Sequence, residues 1–318
     1  MAAPAGLPGR PDDPRLGECV ELWSGGAADL RPGRPVLIGF PEDEGVRRNG
    51  GRPGAAEAPR AIRHWLYRLT PFDASTGADL ARLRLLDLGD VRTDGGLEAS
   101  QEALGEVVAA ALTAGALPVV LGGGHETAYG HYLGYARAGW VVGVINLDAH
   151  LDVRPYAPGQ GHSGSPFRQA LEHPSHPLPG DLYCCLGAQP FSVSREHADY
   201  VRQRGGTIRW RSEVAGRLEE ELGRQCKRVT GNGCPVYLTV DADVVRAADV
   251  PGVSAPNPLG LDGAAVAACC RAAGETPGVT SFDLVEINPQ LDRDGLSARW
   301  AALSVWHFLA GLARRPTF

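Results

Sequence analysis

The sequence predicts an α/β domain built on a mainly parallel sheet, and three observations carry that prediction. Short apolar runs alternate with longer helical patterns along most of the chain. Those runs lack clean polar alternation, as strands buried on both faces do. Some end in carboxylates and lead into long Pro- and Gly-rich loops, RPYAPGQGHSGSP (154–166) and VPGVSAPNPLG (250–260). In parallel α/β sheets ligands bind at the carboxyl ends of the strands, so these loops fall where a site belongs.

Taken in order, the predicted strands are PVLIGF (35–40), LRLLDLG (83–89), LPVVLGG (117–123), WVVGVINLDA (140–149), LYCCLG (182–187), PVYLTVD (235–241) and VTSFDLVEI (279–287). Helices are predicted over 58–69, 98–114, 127–138, 165–172, 195–204, 211–226, 262–273 and 297–314, which gives the alternation of a parallel array. The uncharged stretch 107–124 has the look of a membrane span, but Gly115 and Pro118 interrupt it. An alanine-rich helix running into a strand accounts for it. Residues 1–30 contain no apolar core like that of a signal peptide and read as a flexible leader. Residues 31–318 read as one domain without internal repeats.

Composition excludes several classes of function. The net charge is −6 with no basic block, which argues against nucleic acid or an anionic membrane as partner. Lys227 is the only lysine and sits at what reads as a solvated helix end, so Schiff-base and phosphate-loop chemistry are disfavoured. Cys19, Cys184, Cys185, Cys226, Cys234, Cys269 and Cys270 are odd in number and form no CxxC. They suit neither a disulfide framework nor a zinc finger, and read as small buried hydrophobes in a reducing, cytoplasmic setting.

The chemistry-bearing residues gather at three strand ends. GGGHE carries His125, NLDAHLD carries Asp148, His150 and Asp152, and VDADV carries Asp241 and Asp243. On an extended chain, spacings of two place such residues on one face. A single D-x-D, or one histidine after glycines, is ordinarily structural. Four aspartates at one site would repel strongly without a cation, so their convergence implies bound metal. The donor set suits hard or borderline divalent ions, Mn²⁺ especially, and is large enough for two ions sharing bridging carboxylates. The glycines then form a tight turn that aims His125 at metal. Neither GK[ST] nor GxGxxG is present to bind phosphate or a dinucleotide. A metal pair points to hydrolysis. In SFDLVEINP, Asp283 and Glu286 are three apart and cannot share a strand face, and Glu286 is the pocket candidate. His131 and His307 read as packing residues.

In order and spacing, GGGHE, NLDAHLDVR, VDADVV and SFDLVEINP resemble the four signatures of the ureohydrolase family, which includes arginase, agmatinase and formimidoylglutamase. The resemblance covers roughly residues 35–314. It implies a three-layer α/β/α, arginase-like fold and a homo-oligomer. It also implies two Mn²⁺ ions per subunit, held by His125, Asp148, His150, Asp152, Asp241 and Asp243. The reaction implied is hydrolysis of a small linear amidine or guanidine, with Asp148 and Glu286 catalytic and Glu286 also contacting the amidine group.

Arginases and agmatinases carry a histidine directly before a glycine after this segment, whereas GHSGSPFRQ places Ser163 before Gly164 and His162 one residue earlier. SGSPFRQ, EDEGVRRNGGRPGA (42–55) and PGVSAPN (251–257) resemble the formimidoylglutamase branch. That branch hydrolyses N-formimidoyl-L-glutamate to L-glutamate and formamide in histidine degradation. Two substrate carboxylates would call for arginines, whose forked donors match them. Arg47, Arg48, Arg52, Arg154 and Arg168 fall in the rim loops. Asn49, Arg48, Ser163, Arg168 and Glu286 are the substrate-binding candidates. An agmatinase-like or other guanidino-acid hydrolase, a two-metal phosphoester hydrolase and a non-catalytic metal-binding member remain as alternatives.

Overall fold

All seven apolar runs become strands of one sheet. The computed structural model describes residues 12–26 and 29–316, and in it that sheet has nine strands. They are β1 (Glu21–Leu22), β2 (Pro35–Gly39), β3 (Leu86–Asp90), β4 (Leu117–Leu121), β5 (Gly143–Leu147), β6 (Tyr183–Ala188), β7 (Thr207–Trp210), β8 (Val236–Asp241) and β9 (Val279–Val285). Their spatial order is β1-β3-β2-β4-β9-β8-β5-β6-β7, and every neighbouring pair is parallel. The last strand in sequence, β9, therefore lies at the centre.

Alternate residues of each strand enter different cores, as the twofold pleat requires. Leu37, Val119, Leu121, Ile145, Leu238 and Val240 face one layer of helices. Val36, Ile38, Val120, Val144, Tyr183 and Tyr237 face the other. Leu97–Thr113 and Thr127–Ala138 pack together on the second face, while Ala58–Leu66, Gly263–Glu275 and Leu296–Leu312 pack on the first. The three-layer architecture follows from that division.

The differences from expectation lie at the edges. Of the leader over residues 1–30, residues 1–11, 27 and 28 lie outside the described residues. The part around Leu16–Cys19 is docked rather than free: Leu16 is buried, its N–H bonds Leu69 O at 2.7 Å, and Glu21–Leu22 pairs with Leu86–Asp87. The apolar residues Leu16 and Val20 supply the anchor. Strand β7 escapes sequence reading because it is a half-buried edge of four residues. The helix expected over 211–226 breaks at Gly216, whose φ of 81° no helix accommodates, into Arg211–Val214 and Leu218–Gly231.

One buried ion pair ties Ala58–Leu66 to the sheet. Arg63 donates to both Asp87 carboxylate oxygens, at 2.9 and 3.0 Å, and also bonds Asp90. Burial works against the Arg63 guanidinium, but Asp87 and Asp90 outweigh it and hold the group charged. Arg63→Leu is expected to strand the buried Asp87 carboxylate and to lower stability by about 3–5 kcal/mol in a denaturant titration.

Candidate metal centre

Strands β4, β9, β8 and β5 are consecutive in space, and the carboxyl end of each delivers side chains to one place. After β4 the chain turns through Gly122–Gly124 to His125. Here the glycines are needed for close approach rather than for positive φ. A Cβ on Gly123 would stand 1.8 Å from Glu42 O. The turn is further fixed by Gly124 N–H donating to Glu42 O at 2.9 Å and His125 N–H donating to Glu286 Oε1 at 2.8 Å.

The aspartates converge through turns just past the strand ends, not along extended faces as their spacing suggested. His150 N–H donates to Asp148 Oδ1 at 2.6 Å, curling the segment after β5. Asp241 closes β8, and its Oδ1 accepts from Asp243 N–H at 2.8 Å to cap the turn Ala242–Val244. Asp152 at φ 46° and Glu286 at φ 66° occupy the left-handed region, which non-glycine residues hold only where their surroundings force them to. Both face the same site.

Two groups of donors result. His125 Nδ1 lies 3.4 Å from Asp148 Oδ2, 2.9 Å from Asp152 Oδ2 and 3.1 Å from Asp241 Oδ2. His150 Nδ1 lies 3.4 Å from Asp148 Oδ1 and 3.2 Å from Asp243 Oδ2. Asp148 belongs to both groups and offers one oxygen to each, which is the geometry of a bridging carboxylate. Thus the six expected ligands meet.

Their electrostatics call for positive charge. Burial raises Asp241 far above the ordinary carboxylate range, reinforced by Asp243 and Asp148. Burial likewise pushes Asp243 up to about 6 and Glu286, beside Asp241, up to about 8. His125 is raised because Asp148, Asp152 and Asp241 outweigh its burial, and His150 is raised chiefly by Asp243. His125 Nδ1 and Asp243 Oδ1 are buried with no hydrogen-bond partner among the described residues. Orphaned donor atoms aimed into a cluster of carboxylates fit divalent cations.

The cluster forms the floor of a cavity of about 290 Å³, walled by Asn49, Arg52, Arg154, Ser163, Ser254 and Glu286. Asn49 Nδ2 donates to Ser163 Oγ at 3.1 Å. Arg52 spends Nε and Nη2 on the carbonyls of Ser254 and Val253, at 2.9 and 2.8 Å, which ties two rim loops together. Among the described residues, Arg154 has no carboxylate within ion-pair distance.

Two substrate-binding expectations do not reach this cavity. Arg48 is held by Glu98 at 2.5 Å, Glu44 at 3.2 Å and Gly161 O at 3.0 Å. Arg168 pairs with Glu172 at 3.1 Å and lies over the Tyr200 ring. Neither is among the wall residues, because local acids capture both. Arg47 is likewise engaged by Glu44. His162 Nε2 is turned toward Pro155 O at 3.2 Å, away from the metal donors.

Sequence reasoning missed Asn146 and Thr239. Asn146 Nδ2 donates to Asp148 Oδ2 at 2.9 Å, and Thr239 Oγ1 lies 3.1 Å from His125 Nε2. Each is a polar residue in an apolar strand, two positions before a ligand, and that was the available signal.

Comparison with known proteins agrees with this geometry. The arginase family profile matches residues 34–311, and the chain belongs to the arginase family. A formimidoylglutamase of Geobacillus thermodenitrificans is 43% identical over 272 residues, covering 84% of this chain and 81% of that protein. One from Chromobacterium violaceum is 39% identical over 309 residues, covering 95% and 96%. Among solved structures, a Trypanosoma cruzi formiminoglutamase with Mn²⁺₂ has a TM-score of 0.86 at 37% identity, covering 96% of this chain and 100% of that one.

Two outcomes follow from the site. Gly123→Ala should drive the turn away from Glu42, lowering stability by roughly 1–3 kcal/mol, with metal uptake falling alongside in a titration. In metal-free protein, Asp241, Asp243, Glu286, His125 and His150 all hold protons more tightly than in the unfolded chain. The folded state then binds more protons, so its stability falls as pH rises from about 5 to about 8. Asp148, shifted down by its two histidines against its burial, opposes this only at acid pH. Thermal melts across pH, with and without Mn²⁺, check the slope and its removal by metal.

Proposed function

We infer that the chain is a binuclear manganese hydrolase that cleaves N-formimidoyl-L-glutamate to L-glutamate and formamide. The observation that carries this reading is the shared His/Asp donor cluster opening directly onto a cavity lined by Arg52 and Arg154. His125, Asp148, Asp152 and Asp241 would hold one ion, and Asp148, His150 and Asp243 the other. When bound, such a pair lowers the pKa of water and stabilises developing negative charge on the electrophile.

The remaining work falls to the chain's own residues. Asp148 holds the two halves of the centre in register through its two oxygens. Glu286 gives Oε1 to the His125 N–H, which leaves its other oxygen for an N–H of the substrate's amidine. In the metal-free site burial and the neighbouring Asp241 push Glu286 up to about 8, so its carboxyl takes up a proton there more readily than a free glutamate. Arg154, and the Nη1 of Arg52 left over from its loop contacts, face the space where a glutamate moiety would place its carboxylates. Asn49 and Ser163 add neutral hydrogen-bonding groups on the same wall.

An agmatine-like substrate would bring a cationic tail against these arginines, and like charge disfavours it. The reading also carries histidine degradation as the pathway, a cytoplasmic location and self-association. Among the described residues no helix is long and apolar enough to cross a membrane, and the cysteines are free.

The test is release of formamide and glutamate by Mn²⁺-loaded protein, with agmatine, arginine and a phosphoester run alongside. Turnover is expected for the glutamate derivative alone, and Asp148→Ala should abolish it. Arg154→Leu should raise KM about 10–100-fold with a smaller change in kcat, the range for losing a hydrogen bond to a charged group. Urea release from a guanidine, with no formamide, would overturn the substrate assignment.

A further inference from the structure

We propose that a buried hydrogen-bond relay, His125–Thr239–Tyr237–Asp283–His131, orients His125 and tunes its hold on metal, so that Thr239, Tyr237 and Asp283 are positioning residues of the centre. The proposal rests on the metal-centre reading above and goes beyond its ligands.

Nδ1 of His125 points into the donor cluster, where a bound cation would take its lone pair; the ring proton then belongs on Nε2, 3.1 Å from Thr239 Oγ1, which would accept it. The Tyr237 hydroxyl donates to Asp283 Oδ2, and Thr239, two residues further along the same strand and the cross-strand partner of Asp283, is inferred to close the path by donating its own hydroxyl to Tyr237. His131 Nδ1 meets that same oxygen at 2.9 Å. The donors thus run in one direction from the metal ligand to a carboxylate. A histidine ligand whose far nitrogen is anchored toward a carboxylate has its tautomer fixed and its basicity raised. Here two hydroxyls extend the path, and hydrogen bonds in a chain polarise one another.

Register explains how the path is built. Tyr237, Thr239 and Asp241 alternate along β8 on one face, and Thr239 is the cross-strand partner of Asp283 on β9. The intervening Leu238 and Val240 enter the opposite core. His131 comes from the helix that His125 leads into, with its ring centroid 4.1 Å from that of Tyr237. His131, Tyr237, Thr239 and Asp283 are all 0% exposed. Burying four polar side chains is unfavourable unless they are joined, and apolar residues would pack this core at lower cost. Their linkage to a metal ligand gives the arrangement a purpose that packing alone does not.

The experiment titrates Mn²⁺ into metal-free full-length protein by calorimetry and chelator competition, with a thermal melt for each variant. Thr239→Val is expected to weaken the ion held by His125 by about 10–100-fold, the range for losing such an outer partner, while the His150 ion changes less. Thr239→Ser keeps the hydroxyl and should restore the original affinity. Asp283→Asn should weaken the same ion by a smaller factor. Original affinity in both Thr239→Val and Asp283→Asn, or a Thr239→Ser variant as weak as Thr239→Val, would overturn the relay. Should Asp283→Asn fail to fold, the valine and serine pair decides. If the unmodified chain takes up no Mn²⁺, the metal centre itself is lost and the relay's role with it.

Discussion

Four aspartates and a glutamate meet where the protein is largely shut off from water, and their mutual repulsion shapes everything nearby. In a buried site such charges interact far more strongly than at a surface. The chain can keep the carboxylates protonated or supply cations, and the raised carboxyl groups of Asp241, Asp243 and Glu286 show how far the first course is forced when metal is lacking. Asp148 moves the other way, against its burial, because it stands between both histidines. Its position between the donor groups and its retained charge have one cause.

Holding such a cluster requires rigid surroundings, and the fold provides them asymmetrically. Below the ligands, Asn146 and Thr239 brace Asp148 and His125 from neighbouring strands. Above them, Arg52 ties the loop after Arg48 to the loop at Val253–Ser254 through backbone carbonyls. Arginines with acids nearby have become struts, as with Arg48 on Glu98 and Arg168 on Glu172. Among the described residues Arg154 has no such acid, and it lines the cavity.

Most of this was legible in the sequence where one physical signal dominated. Unbroken apolar runs mark the central strands, and carboxylates at their ends mark the residues that converge on one cluster. The signal failed where tertiary context decides. Edge strand β7 is half-exposed and carries Arg209, so its burial pattern gives no period to read. Rim arginines look alike in sequence, and only the positions of Glu44, Glu98 and Glu172 separate Arg48 and Arg168 from Arg154. His131 looked like a packing residue on an apolar helix face, since nothing local reveals Asp283 across the core. The three-residue spacing keeps Asp283 off the strand face of Glu286, the pocket candidate. Asp283 lies below the pocket, on the path to His125.

The central place of β9 has a consequence for how the molecule comes into being. Its neighbours in the sheet, β4 and β8, are bridged by a strand that follows every other described strand in sequence. Until residues 279–285 are available, β2 and β4 on one side and β8 and β5 on the other have no shared ladder. Contacts so distant in sequence form slowly, because the loops must close before anything rewards them. During synthesis, then, His125 and Asp241 have no fixed distance between them, and an incomplete chain cannot assemble the full set of donors. Assembly of all six donors therefore waits on β9, the strand that joins the two halves of the sheet.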